Sequence, residues 1–133
     1  MRKFFGGDLG YSILDRTANI KRVIYGAYVL SQNDIVTIIC NISPFQELRT
    51  FARRKLKNYN EIYLHKNVEA CIQSDVKNMY KKNFNKSHIV GIEIPFEPPV
   101  SCDLRIDVDS CGVEEALESL NVFLRKKYSS WPL

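Results

Sequence analysis

Arg16, Asn19 and Arg22 stand three residues apart, a spacing that makes side chains neighbours on one side of a helix. Two guanidinium groups and an amide one to two turns apart form a forked set of donors suited to phosphate or sulfate oxygens. The same residues also fit a solvated helix face, since charged side chains on a helix usually meet water. Just upstream, the Ser12 hydroxyl can cap the helix, and Asp15 three residues later resembles a capping box with Asp in place of Glu. The helix is therefore expected to start near Ile13. Leu14, Ala18, Val23, Ala27 and Leu30 recur every three to five residues and mark the face expected to pack on a sheet.

The elements that would position these groups follow in order. Residues 35–40, Ile-Val-Thr-Ile-Ile-Cys, have no polar alternation and read as a strand buried on both faces of a parallel sheet. The chain then leaves the carboxyl edge of that sheet at residues 41–44, where open α/β folds bind ligands. Leu48, Phe51, Ala52 and Leu56 argue for a second helix over residues 45–57, residues 60–64 for a short strand, and residues 68–73 for another helix. Residues 75–91 turn basic and polar; a run of this length inside a domain usually serves as a lid or binding loop, and Tyr80 and Phe84 add stacking surface among its lysines. Residues 93–99 are kept extended by prolines, residues 104–107 form a short strand, and residues 113–128 an amphipathic closing helix with Ala116, Leu117, Leu120, Phe123 and Leu124 inward. Alternating strands and helices with short joins give the α/β class.

A length of 133 residues, 45% hydrophobic and 26% charged, fits one globular domain spanning residues 1–133. The net charge of +4 is modest, and the basic residues are mixed with acidic ones except around 53–57 and 81–86. Such a balance argues for a small anionic ligand and against nucleic acid. Cys40, Cys71, Cys102 and Cys111 form no C-x-x-C pair and are expected to be reduced. His65 and His88 have no neighbours at metal-ligand spacing, so structural or surface roles are expected and no metal site is assigned. No apolar run approaches the ~20 residues of a membrane helix, and the first residues lack the apolar core of a secretory signal. The expected setting is the cytoplasm, with no membrane partner.

Four stretches, in order, resemble the adenylylsulfate kinase family, P-loop kinases that phosphorylate the 3′-hydroxyl of adenosine 5′-phosphosulfate in sulfate assimilation. Residues 8–22, with Asp8-Leu-Gly-Tyr-Ser12, Asp15-Arg16 and Asn19-Ile-Lys-Arg22, are similar to D-L-G-F-S-x-x-D-R-x-x-N-I-R-R. Ile42-Ser43-Pro44-Phe45 is similar to I-S-P-Y/H, Asp75-Val-Lys77-Asn-Met-Tyr80-Lys-Lys82 to D-P-K-G-L-Y-K-K, and residues 91–99 to G-I-D-x-P-Y-E-x-P. The resemblance implies a three-layer parallel α/β sheet and an ATP-dependent kinase with Mg as metal cofactor. It assigns Arg2, Arg16 and Asn19 to the phosphosulfate and ribose, Tyr11 to stacking on the base, and Ile42 and Ser43 to the substrate loop. Asp75, Lys77 and Lys81 fall in the lid over the phosphates, where cations neutralise charge on the transferring group. Ser43 matches a position sometimes given a phosphoserine intermediate; direct transfer stays open beside it, because a nucleophilic serine needs an adjacent base. A small nucleotide is the implied partner, and a homodimer is left open.

Departures from the family pattern are as informative. None of the six glycines is followed by lysine, so the chain contains no G-x-x-x-x-G-K-S/T loop to cradle ATP phosphates. Met1 aligns inside the pattern just before Arg2, which leads to the expectation of a fold truncated at its N-terminus, without first strand and P-loop, as in a gene fragment or a start at an internal methionine. Ile89 stands where the family places an aromatic over the adenine, and Ser74 where it places an arginine. An aliphatic side chain does not reproduce the stacking. Two alternatives follow: a kinase for another nucleotide, such as the cytidine diphosphoramidate kinases of capsule synthesis, or a non-catalytic fragment that has lost ATP binding.

Overall fold

The computed structural model describes residues 4–5, 7–75, 80 and 89–128. Its elements are α1 (Ile13–Ser31), α2 (Gln46–Lys55), β1 (Ile62–His65), α3 (Val68–Gln73), β2 (Leu104–Asp107) and α4 (Val113–Lys127). They fall into two compact units, one of Met1–Tyr59 with Lys86–Pro98 and one of Asn60–Asn85 with Pro99–Leu133.

In the first unit, α1 begins at Ile13 as expected, because the Ser12 hydroxyl accepts from the Asp15 amide at 3.2 Å. The reciprocal half of a capping box is absent. Asp15 is one methylene shorter than Glu, and its carboxylate instead accepts from the Ser12 hydroxyl at 2.7 Å. A Cβ at Gly10 would lie 3.0 Å from Asp15 Oδ2, a tight approach that glycine avoids. The helix closes with Asn33 and Ile35 amides on the Leu30 carbonyl and with Asp34 at φ 55, a left-handed stop.

The buried stripe of α1 differs from the one its periodicity predicts. Ala27 is buried as expected, but Ile20 and Ile24 are buried beside it, whereas Leu14 is 81% exposed and Leu30 also faces outward. The partner explains the shift: Ile20 and Ile24 pack on Leu48 and Ala52 of α2, with Phe45, Phe51, Leu56 and Tyr59 around them. Each such aliphatic side chain contributes about 1.5–3 kcal/mol when fully buried.

Residues 35–40 depart furthest from expectation. They form no strand, and Val36 and Ile38 are 68% and 73% exposed. A run of β-branched residues supplies propensity alone. A strand exists only when its N–H and C=O groups meet a neighbour's, and no described residue pairs with this run.

The second unit holds the parallel pair. β1 and β2 pair in the register Ile62↔Leu104, Tyr63↔Arg105, Leu64↔Ile106 and His65↔Asp107. Glu61 opens the ladder, its carbonyl accepting from the amides of Asp103 and Leu104 while its own amide donates to Asp103 Oδ2 at 2.8 Å. α4 packs against β2, where Ile106 is buried. Ala116, Leu120, Phe123 and Leu124 are half-buried as expected, but Leu117 is exposed. Tyr128 ends the helix, and its hydroxyl and the Asn60 amide meet at 2.5 Å.

Candidate functional site

The start of α1 gathers three of the residues singled out in the sequence. Arg16 folds back on the turn before the helix: its Nε donates to the Tyr11 carbonyl at 3.0 Å, and its guanidinium lies 5.7 Å from the centre of the Tyr11 ring. The ring itself is 60% exposed, so its face is open to a planar ligand. One turn further on, Asn19 is half-buried with its Oδ1 shut off from solvent, and no group among the described residues donates to that oxygen. A buried acceptor without a donor costs about 1–3 kcal/mol, and such groups in native structures call for a ligand, water or other partner.

Arg22 does not join this set. Its two terminal nitrogens grip the Asp8 carboxylate at 2.9 and 2.6 Å, and its guanidinium covers the Phe5 ring at 4.6 Å. The bond to Asp8 raises the Arg22 pKa beyond its already high ordinary value, partial desolvation works against this, and the carboxylate's charge adds to it. Of the three polar residues read from the helix, Arg22 therefore ties the turn at residues 7–8 onto α1. Gly7, at φ +72, makes that turn possible.

The loop at residues 42–44 is held by a residue that periodicity alone did not single out. Arg49 is buried on α2, donating to the Ser43 carbonyl at 2.6 Å, to Gln46 Oε1 at 2.7 Å and to the Glu97 carbonyl at 2.6 Å, with Phe96 beside it. The forked guanidinium thus joins two separate stretches of chain. Glu97 completes the clamp, its amide donating to the carbonyl of fully buried Pro44 at 2.8 Å while its carboxylate accepts from the Gln46 amide at 2.5 Å. Ile42 is exposed and Ser43 half-buried on the rim so formed. A basic residue in the middle of a helix whose other apolar positions are buried was the available signal.

Ile89 sits at the head of a tight turn. Its carbonyl accepts from the amides of Ile92, Glu93 and Ile94, its amide donates to Glu93 Oε2, and Gly91 at φ +92 allows the reversal. In the second unit, Asp75 Oδ2 accepts from the Tyr80 amide at 2.9 Å. Ser74 donates to the Ala70 carbonyl and meets Lys66 Nζ at 2.8 Å. Arg2, Lys77 and Lys81 lie outside the described residues.

Residues 1–107 match the family model for adenylylsulphate kinase. This chain belongs to the adenylylsulphate kinase family. It is 35% identical to an adenylyl-sulfate kinase of Halothermothrix orenii over 96% of this chain and 70% of that one, and 33% identical to one of Clostridium acetobutylicum over 95% and 64%. Its fold superposes with a TM-score of 0.83 on the APS kinase of Mycobacterium tuberculosis in complex with AMPPNP and APS, at 25% identity over 93% of this chain and 75% of that one. The α/β fold with its parallel strands is thus that of the P-loop kinases. The chain spans roughly two thirds of the length of such relatives.

Family members use ATP, and the described residues do not fit its polyphosphate. Every helix start among the described residues carries an oxygen acceptor or a carboxylate of this chain, the short α3 with Glu69 in its first turn. Ser12 and Asp15 occupy that of α1, the Glu97 carboxylate already binds the first amide of α2, and Glu114 and Glu115 place negative charge in the first turn of α4. No helix among the described residues is long and apolar enough to cross a membrane.

Proposed function

We propose that this chain provides the acceptor-nucleotide side of an adenylylsulfate-kinase phosphotransferase, with adenosine 5′-phosphosulfate as the acceptor and Mg-ATP as the source of the phosphoryl group. The exposed ring of Tyr11, with the Arg16 guanidinium 5.7 Å from its centre, carries this reading; Asn19, one turn from Arg16, is assigned to the ribose by its place in the family pattern. Arg16 then meets phosphosulfate oxygens with charge-assisted bonds, and the exposed Tyr11 ring takes the base. Ile42 and Ser43 border the acceptor, held in place by Arg49. Arg2, Asp75, Lys77 and Lys81 are assigned to the site by their places in the family pattern. Transfer is direct in this scheme, because the basic group tied to the Ser43 backbone is a guanidinium, which does not take up a proton.

A second acceptor is favoured by one position. Ile89 cannot stack as an aromatic does, and a cytidine nucleotide, with its smaller base, depends less on such a lid. Calorimetric titration of the folded chain with adenosine 5′-phosphosulfate, cytidine diphosphate and Mg-ATP separates the readings. Binding of the first, weakened about tenfold or more by Arg16→Ala, supports the sulfate-assimilation acceptor. Preference for the cytidine nucleotide transfers the assignment to that substrate. Absence of heat with every ligand overturns both.

A further inference from the structure

We propose that His65, Asp107 and Asp109 form a binding site for a first-row divalent transition metal at the carboxyl ends of β1 and β2. The inference is independent of the acceptor role assigned to α1. One ligand atom from each residue lies within 4.8 Å of the other two. The parallel register seats His65 beside Asp107, so the backbone ladder fixes this pair. His65 Nδ1 is 3.2 Å from Asp107 Oδ2. That is close to the separation of two ligands on one tetrahedral zinc, about 3.3 Å for bonds of about 2.0–2.1 Å.

The nitrogen supplies a second observation. His65 Nδ1 is shielded from solvent and makes no hydrogen bond, even with the carboxylate at contact distance. An imidazole nitrogen and a carboxylate oxygen set side by side at this distance are disposed as ligands of a common cation. Both carboxylates are also aimed by backbone amides, the outer support that metal ligands require. Asp109 Oδ2 accepts from the Asn67 amide at 2.7 Å, and Asp107 Oδ1 accepts from the Asp109 amide at 3.1 Å. The ring of Tyr63 meets that of His65 edge-on at 5.9 Å and limits its rotation.

One imidazole and two carboxylates select Zn²⁺, Co²⁺ or Mn²⁺ over Mg²⁺, which prefers oxygen ligands and retains its waters. The cation would offset repulsion between the two carboxylates and link the end of β1 to the loop that enters α4. His65 and Asp107 lie far apart in sequence, so ligand spacing gave no hint of them.

The test is calorimetric titration of the full chain with Zn²⁺ under reducing conditions, with Co²⁺ absorption alongside. The expected result is a single equivalent bound with a Kd on the order of micromolar. His65→Gln and Asp109→Asn should each weaken it about tenfold or more at unchanged far-UV circular dichroism. The Co²⁺ spectrum should lack a thiolate charge-transfer band. Equal zinc affinity in both variants, a thiolate band assigning the metal to cysteine, tighter binding of Mg²⁺ than Zn²⁺, or no binding at all would each overturn the site.

Discussion

Arg49 shows how much one buried side chain can organise. Its guanidinium donates to the carbonyls of Ser43 and Glu97 in part-buried bonds. Arg49→Met should therefore destabilise the chain by about 2–4 kcal/mol, read as a lower midpoint in urea unfolding, because two acceptors lose their donor. Arg49→Lys should recover only part of this, since an ammonium cannot span the fork. Loss of adenosine 5′-phosphosulfate affinity in Arg49→Lys would show that the clamp also positions the Ser43 rim. Tyr80 offers a different test. Burial first, and then the neighbouring Cys71 and Asp75, raise its pKa above the ordinary 10.0. A raised acid keeps its proton longer in the folded state, so the associated stability is complete below the unfolded value and is lost as pH rises through the folded one. Between neutral pH and the ordinary tyrosine pKa the wild type and Tyr80→Phe should share one pH profile. Above it, the wild type should lose stability more steeply. Parallel denaturation curves across the alkaline range would contradict this.

At the scale of elements, local chemistry decided the ends and distant chemistry decided the faces. Ser12 caps α1 where its hydroxyl said it would, and α3 and β2 occupy the residues expected of them. Ala27 is buried as periodicity expects, but Ile20 and Ile24 join the packing stripe because α2 is their partner, a fact that helical periodicity does not contain. Residues 35–40 make the same point in β structure. Their apolar side chains are exposed and no strand among the described residues pairs with them, an arrangement that favours pairing with other chains. Ile38→Lys should suppress aggregation at high protein concentration, measured by light scattering, with little change in helix content. Undiminished aggregation would assign the association to another surface.

At the scale of the molecule, the buried hydrophobic set among the described residues is Ile20, Ile24, Ala27, Leu48, Ala52, Ile94 and Ile106, divided between two units. Large hydrophobic side chains such as Phe4, Leu14, Val36, Ile38, Val100 and Val113 face outward. A chain of this kind should bind a hydrophobic dye at neutral pH and unfold over a broad temperature range. A sharp calorimetric transition without dye binding would show that this surface is covered in solution. The sequence by itself determined the family, through four ordered motifs, and with it the α/β class; it also determined the cap of α1 and the existence of most elements, because these depend on residues within a turn or two of one another. Tertiary structure alone decided that Arg22 pairs with Asp8, that Arg49 fastens Ser43 to Glu97, that residues 35–40 pair with no strand among the described residues, and that His65 meets Asp107 and Asp109. The physical reason is common to all four. Each is a pairing between groups far apart along the chain or between alternatives of similar local energy, and only the fold brings one partner close enough to exclude the others.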